Sequence, residues 1–141
     1  MSTTCFNKQK VNLIFFKLCY ILYIETINKP GGLNMFTFNQ DVTATDCEKG
    51  VTRKILSYSD ELMMVEVSFE KGAKGNFHSH EHLQISYVAK GSFQFTIDGH
   101  TKIVTQGDST YMPSNSVHGV LALEDAILVD VFNPKRDDFL K

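Results

Sequence analysis

Three histidines and a glutamine, set in two separated stretches, carry the clearest chemistry of this 141-residue sequence. The first stretch runs from Gly72 through His78, Ser79, His80 and Gln84 to Gly91; the second runs from Gly107 through Pro113 and Asn115 to His118. In an extended strand alternate side chains share a face, so His78 and His80 are expected to point the same way. Imidazole nitrogens ligate zinc, nickel, copper and iron, and a carboxamide oxygen can complete such a set. The close pair and the distant third histidine therefore point to a divalent metal held between strands by His78, His80, Gln84 and His118. A barrel whose histidines are merely satisfied by hydrogen bonds would suit a lone imidazole better than several at these spacings. His82 follows Glu81 at an expected bend and reads as a rim residue; His100 follows the Asp98-Gly99 turn and reads as solvated surface.

Asp130 is the second chemical signal. It interrupts Ile127-Leu-Val and Val131-Phe132, a run otherwise suited to burial. A buried carboxylate is costly unless it is paired, hydrogen-bonded or close to a metal. Leu128, Asp130 and Phe132 share one strand face, but strand parity alone leaves open whether that face looks inward or outward. Inward, Asp130 would share a cavity with the metal, and Arg136, just past Pro134, could clamp a carboxylate at the mouth. Outward, Asp130 would face water on an edge strand and Arg136 would be ordinary surface.

The elements that must position these groups read as β-strands. From Val51 onward, short apolar runs alternate with turn signals at intervals typical of a sandwich or barrel. Leu62–Phe69, Gln84–Val88, Ser92–Ile97, Lys102–Thr105, Tyr111–Pro113, Gly119–Leu121 and Ala126–Phe132 are the expected strands, and Asp98-Gly99 is a strong hairpin signal. The flanking glycines suit turns that need positive φ, and Pro113, without an N–H, suits an edge or a strand start. No long helical periodicity appears after Met35. The expected fold is all-β: a closed or sandwiched antiparallel barrel of the jelly-roll type, able to hold one ligand in its mouth.

Composition narrows the classes further. Fourteen Lys and Arg face sixteen Asp and Glu, a near balance that argues against nucleic acid or anionic membrane as a partner. The cysteines, Cys5, Cys19 and Cys47, are odd in number and scattered, so they read as free thiols in a reducing, cytoplasmic setting. Residues 1–34 differ in character. Val11–Ile24 is an apolar run interrupted by Lys17 and short of the roughly twenty residues that span a bilayer. Lys8 and Lys10 precede it as in a signal peptide, but no A-x-A-like cleavage site follows. Gly31-Gly32 ahead of Met35 fits a ribosome-binding sequence read in frame, so 1–34 is expected to be a mis-assigned leader or extension. Residues 35–141 then form the single domain.

The pattern G-x5-H-x-H-x3-Q-x6-G from Gly72 to Gly91, with G-x5-P-x-N-x2-H from Gly107 to His118, resembles the two motifs of the cupin superfamily. Gln84 stands where most cupins carry glutamate, and Asn115 replaces the usual glycine of the second motif. Neutral imidazoles and a neutral amide leave the charge of a divalent metal uncompensated, which favours an anionic substrate and argues against oxygenase chemistry that needs a carboxylate ligand. From about Met35 to Lys141 the chain is similar to the KdgF-type cupins of pectin and alginate degradation. That likeness is carried by Gly50-Val-Thr-Arg-Lys54, Asp60–Val65, His78-Ser-His80, Gln84–Val88, Val117–Val120, Leu123-Glu-Asp125 and Asp130–Phe139.

The resemblance implies metal ligands at His78, His80, Gln84 and His118, and catalytic or substrate-contacting roles at Asp130, Phe132 and Arg136. It implies ring opening and ketonisation of 4,5-unsaturated uronate monosaccharides to linear 5-keto-4-deoxyuronates. A divalent cation (nickel, manganese, iron or zinc) would polarise the ring oxygen and hold the adjacent carboxylate. Asp130 would shuttle a proton, Arg136 would orient the carboxylate, and Phe132 would wall the sugar. Another metal-dependent cupin enzyme, a sugar isomerase or dioxygenase, is one alternative. A non-catalytic sugar-binding or sensing cupin is another. Exposed edge strands lead to the expectation of a homodimer.

Overall fold

In the computed structural model, residues 35–141 are described. The expected leader over 1–34, with Cys5 and Cys19, lies outside the described residues. Ten strands follow one another: β1 (Thr45–Glu48), β2 (Val51–Tyr58), β3 (Met63–Phe69), β4 (Lys74–His78), β5 (Leu83–Lys90), β6 (Ser92–Ile97), β7 (His100–Thr105), β8 (Ser109–Met112), β9 (His118–Ala122) and β10 (Ala126–Asn133). They form a six-stranded sheet in the order β1-β2-β3-β10-β5-β8 and a four-stranded sheet in the order β4-β9-β6-β7. Each strand pairing is antiparallel. This is the jelly-roll sandwich expected from the sequence, with no hydrogen-bonded ladder closing the two sheets into one ring.

Strand composition explains which faces meet. In β6, Phe93 and Phe95 alternate with Gln94, and both aromatic side chains are buried. Val88, Val104, Met112, Ala122, Ala126 and Leu128 pack with them, and Phe93 meets Phe69 edge-on at 5.2 Å between ring centroids. That packing fills one half of the sandwich. The other half holds a smaller cluster of Met63, Val65 and Phe132, which leaves room beside it.

Strand β5 breaks the usual rule. Its inward residues are Gln84, Ser86 and Val88, whereas Leu83, Ile85 and Tyr87 face outward and are exposed. Two polar side chains turned inward and three large apolar ones turned outward run against hydrophobic burial. Buried polar groups are tolerated only with partners, so this inversion marks the place where function is built.

Turns hold the strands in register. Asp98 and Gly99 join β6 to β7 with φ of 45° and 79°, the paired positive values of a tight hairpin. Asp98 also accepts a bond from the Val117 backbone N–H at 2.8 Å through Oδ1, fixing the segment that leads into β9. At Gly91, φ is 75° and an added Cβ would lie 2.7 Å from that of Ala126, so both conformation and space require glycine. No helix among the described residues is long and apolar enough to cross a membrane.

Candidate metal centre and its cavity

His78 ends β4 and His118 begins β9, and the two strands pair these residues directly opposite each other. His80 arrives differently. Strand β4 stops at His78, so His80 lies in the following loop, and simple strand alternation does not explain its direction. It is set by the loop itself: the His80 carbonyl accepts the Asn115 N–H at 2.7 Å, and His80 Nδ1 bonds the His82 carbonyl at 3.1 Å. Asn115 adopts φ of 64°, a left-handed conformation that asparagine takes more readily than most residues. The asparagine thus does the conformational work of the glycine it replaces.

The ligand atoms of His78, His80 and His118 lie within 4.8 Å of one another. Each ring also bonds a backbone carbonyl through Nδ1: Asn76 for His78 at 2.8 Å, His82 for His80 at 3.1 Å, and Ser116 for His118 at 2.9 Å. A carbonyl oxygen only accepts, so every Nδ1 carries the proton and every Nε2 of a neutral ring keeps a lone pair. Metal-binding histidines are commonly oriented through their second nitrogen in this way. Burial pushes His118 down to about 4 and shifts His80 in the same direction, which keeps both rings neutral, as ligation requires.

Two contacts make no sense for protein alone. His118 Nε2 is buried without a hydrogen-bond partner. His80 Nε2 faces Gln84 Oε1 at 3.0 Å, although both atoms are acceptors once Nδ1 holds the proton. The Gln84 amide cannot simply flip to mend this contact, because its Nε2 donates to Ser86 Oγ at 3.0 Å. A cation among these atoms would resolve both contacts, so the residues present fit a divalent metal. His78 and His118 come from the four-stranded sheet, His80 from the loop after β4 and Gln84 from the six-stranded sheet, and these are the residues that would hold it.

Asp130 faces inward. It is 7 % exposed, and burial pushes its carboxyl up to about 6 despite the help of its neighbours. Ser86 donates to its Oδ1, so a continuous chain runs from Gln84 through Ser86 to Asp130. The register explains this chain: Asp130 stands opposite Ser86, and Phe132 stands opposite Gln84. A cavity of about 260 Å³ is lined by His78, Gln84, His118, Asp130, Phe132 and Arg136. It is small beside typical pockets for drug-sized molecules and suits a single sugar ring. A larger, more open depression of about 650 Å³ lies among Glu48, Glu70, Lys90 and Asp125 and has no histidine in its walls. Volume and chemistry thus point to different places, and the donor set decides for the smaller cavity.

The expected site residues are therefore brought together, with one qualification about Arg136. Its Nε and Nη2 donate to Asp138 Oδ1 and Oδ2 at 2.9 and 2.8 Å, holding the Asp138 carboxyl down at about 2. The Nε–Nη2 edge of its guanidinium is thus already engaged by the chain itself, which leaves Nη1 as the donor without a partner among the described residues. His82 is half-buried beside His80, and His100 is exposed, as their positions suggested. Ser86, Arg53 and Phe139 also belong to this region and were not singled out from sequence. Strand parity could have found the first two, because Ser86 falls between Gln84 and Val88, and Arg53 between Val51 and Ile55.

Comparison with known proteins agrees with this construction. Residues 65–132 match the cupin domain family. The pectin degradation protein KdgF of Dickeya dadantii (strain 3937) is 50% identical over 93 residues, spanning 64% of this chain and 84% of that protein. The solved structure of KdgF from Halomonas sp. superposes with a TM-score of 0.72 at 40% identity, covering 74% of this chain and 96% of that one. An RmlC-like cupin from Shewanella frigidimarina NCIMB 400 superposes at 0.73 with 40% identity, covering 74% and 95% respectively. The chain accordingly belongs to the cupins, in the group that holds the KdgF proteins.

Proposed function

We propose that this protein is a metal-dependent isomerase that opens and ketonises 4,5-unsaturated uronate monosaccharides released from pectin or alginate. One observation carries the reading: a buried, protonatable Asp130 shares a small cavity with Gln84 and with His78 and His118, two of the three clustered imidazoles. The kinship with proteins named for pectin degradation supplies the substrate class.

The chemistry is a net isomerisation. As the C1–O5 bond breaks, the anomeric hydroxyl gives up its proton and C1 becomes an aldehyde, while O5 takes the electron pair as an enolate. Carbon 4 then accepts a proton and C5 becomes a ketone, so no atom is gained or lost. A divalent cation held by His78, His80, His118 and Gln84 would supply Lewis acidity toward the ring oxygen. Asp130 moves the proton. With a carboxyl near 6 it is readily both acid and base around neutral pH, the poise that general catalysis favours. Ser86 fixes the carboxyl through Oδ1. Phe132, 3 % exposed and edge-on to His80 at 5.6 Å, forms an apolar wall and keeps water away. Arg136 adds positive charge at the cavity, and its guanidinium lies 4.3 Å from the Phe139 ring centroid.

A cytoplasmic location is part of the same proposal, because an exposed free thiol at Cys47 suits a reducing compartment. The test is loss of ultraviolet absorbance from unsaturated galacturonate with wild-type, Asp130→Asn and metal-stripped protein. Wild type should exceed the blank, with both altered forms far slower. Equal rates in all three, matching the blank, would remove the enzymatic reading.

A further inference from the structure

We propose that Arg53 is the residue that binds the carboxylate of the substrate in this cavity. This rests on the uronate reading above and adds to it the group that recognises the acid.

Arg53 occupies an unusual place. On β2 it shares a face with Val51, which is buried in the core, and with Ile55, which packs against the Met63, Val65 and Phe132 cluster. It stands opposite Val67 on β3. An arginine at an inward position among aliphatic residues needs a partner for its charge. None is supplied. Among the described residues its side chain makes no ion pair, and its buried Nε lacks a hydrogen-bond partner. The guanidinium lies only 3.5 Å from the centroid of the Phe139 ring, which holds its plane without consuming its N–H groups.

Neighbouring acids are already committed. Glu48, in the same cavity wall, accepts from Asn76 Nδ2 at 2.6 Å, and Asp130 accepts from Ser86. Arg136, the other arginine lining the cavity, gives its Nε–Nη2 edge to Asp138. Among the described residues Arg53 is thus the cavity arginine whose side chain makes no hydrogen bond or ion pair, whereas Arg136 is held by Asp138. A planar fork of N–H donors matches a carboxylate with paired bonds, which a sugar hydroxymethyl group could not accept.

The test is calorimetric binding of galacturonate and of galactose to nickel-loaded protein. These sugars differ at carbon 6, a carboxylate in one and a hydroxymethyl in the other. Arg53→Met keeps the stem that packs on Phe139 and removes the charge. It should weaken galacturonate about 10- to 100-fold, the usual worth of a hydrogen-bonded charge, and leave galactose unchanged. Arg53→Lys restores the charge without the fork and should recover part of the loss. In turnover the same variants should raise KM for unsaturated galacturonate more than they lower kcat. Galacturonate affinity unchanged in Arg53→Met, or both sugars weakened together as packing damage would do, overturns the assignment. Wild type binding both sugars alike overturns it as well. Should Arg53→Met fail to fold, Arg53→Lys decides by the same contrast between the sugars. Wild type that prefers galacturonate but leaves the unsaturated sugar unchanged sinks the ketonisation alone.

Discussion

Replacing Asp130 by asparagine should make the metal-free protein more stable and the loaded protein much slower. The side chains are nearly the same size, and an amide oxygen can still accept the Ser86 hydroxyl, so packing is kept. The charge is what changes. Burial raises the Asp130 carboxyl from 3.8 to about 6, and each pH unit is worth about 1.36 kcal/mol, so holding it ionised costs the fold roughly 3 kcal/mol above neutrality. A raised carboxyl favours folding while protonated: its contribution is complete below 3.8 and disappears as pH rises through about 6. Urea unfolding of chelator-treated wild type and Asp130→Asn at pH 4 and pH 7.5 isolates that term, since other titrating groups are common to both. The stability of the variant relative to wild type should rise by about 2.4 kcal/mol between the two conditions, since part of the difference is already present at pH 4. Turnover should meanwhile fall by about 10²- to 10⁴-fold, the usual worth of general acid–base help. A stability difference that stays flat with pH would refute the buried-carboxyl argument.

Three further outcomes follow from the same geometry. Gln84→Glu should bind divalent metal more tightly, by adding a charged donor, while slowing turnover because the cation is then partly neutralised; metal titration and kinetics check the two effects separately. Phe132→Ala should cost about 3–5 kcal/mol in denaturant unfolding, since the ring is buried against Met63 and Val65, and should also raise KM. The expected homodimer has a surface available: Met64, Val131, Ile85 and Tyr111 stand in register across the outer face of the six-stranded sheet, with Met64, Ile85 and Tyr111 exposed. Light scattering should give twice the chain mass for wild type and the chain mass for Ile85→Glu, and a monomeric wild type would remove the homodimer.

Much of this was legible in the residues, for reasons that differ from one position to the next. The hairpin at Asp98-Gly99 and strand β6 were plain because turn chemistry and alternation agree there. The histidines declared themselves by type and spacing, yet His80 reaches the site through a loop bond to Asn115 and not by strand alternation. Asp130 was visible as an anomaly, but parity offers two faces and only the opposite sheet decides which is inside. Ser86 and Arg53 were passed over because a serine and an arginine in a strand ordinarily face water. Parity puts Ser86 on the face of Gln84 and Val88 and Arg53 on the face of Val51 and Ile55, while the residues they stand opposite follow from the pairing of β5 with β10 and of β2 with β3. The Arg136–Asp138 pair is local, yet its consequence for the cavity appears only once Phe139 and Arg53 are seen beside it.

The most direct measurement is anomalous diffraction at a metal absorption edge from crystals of the nickel-loaded protein. A single peak touching Nε2 of His78, His80 and His118 and Oε1 of Gln84 is expected. The same rings in place with no peak among them, and no metal by elemental analysis of the dissolved crystals, would contradict the metal centre on which the proposed chemistry stands.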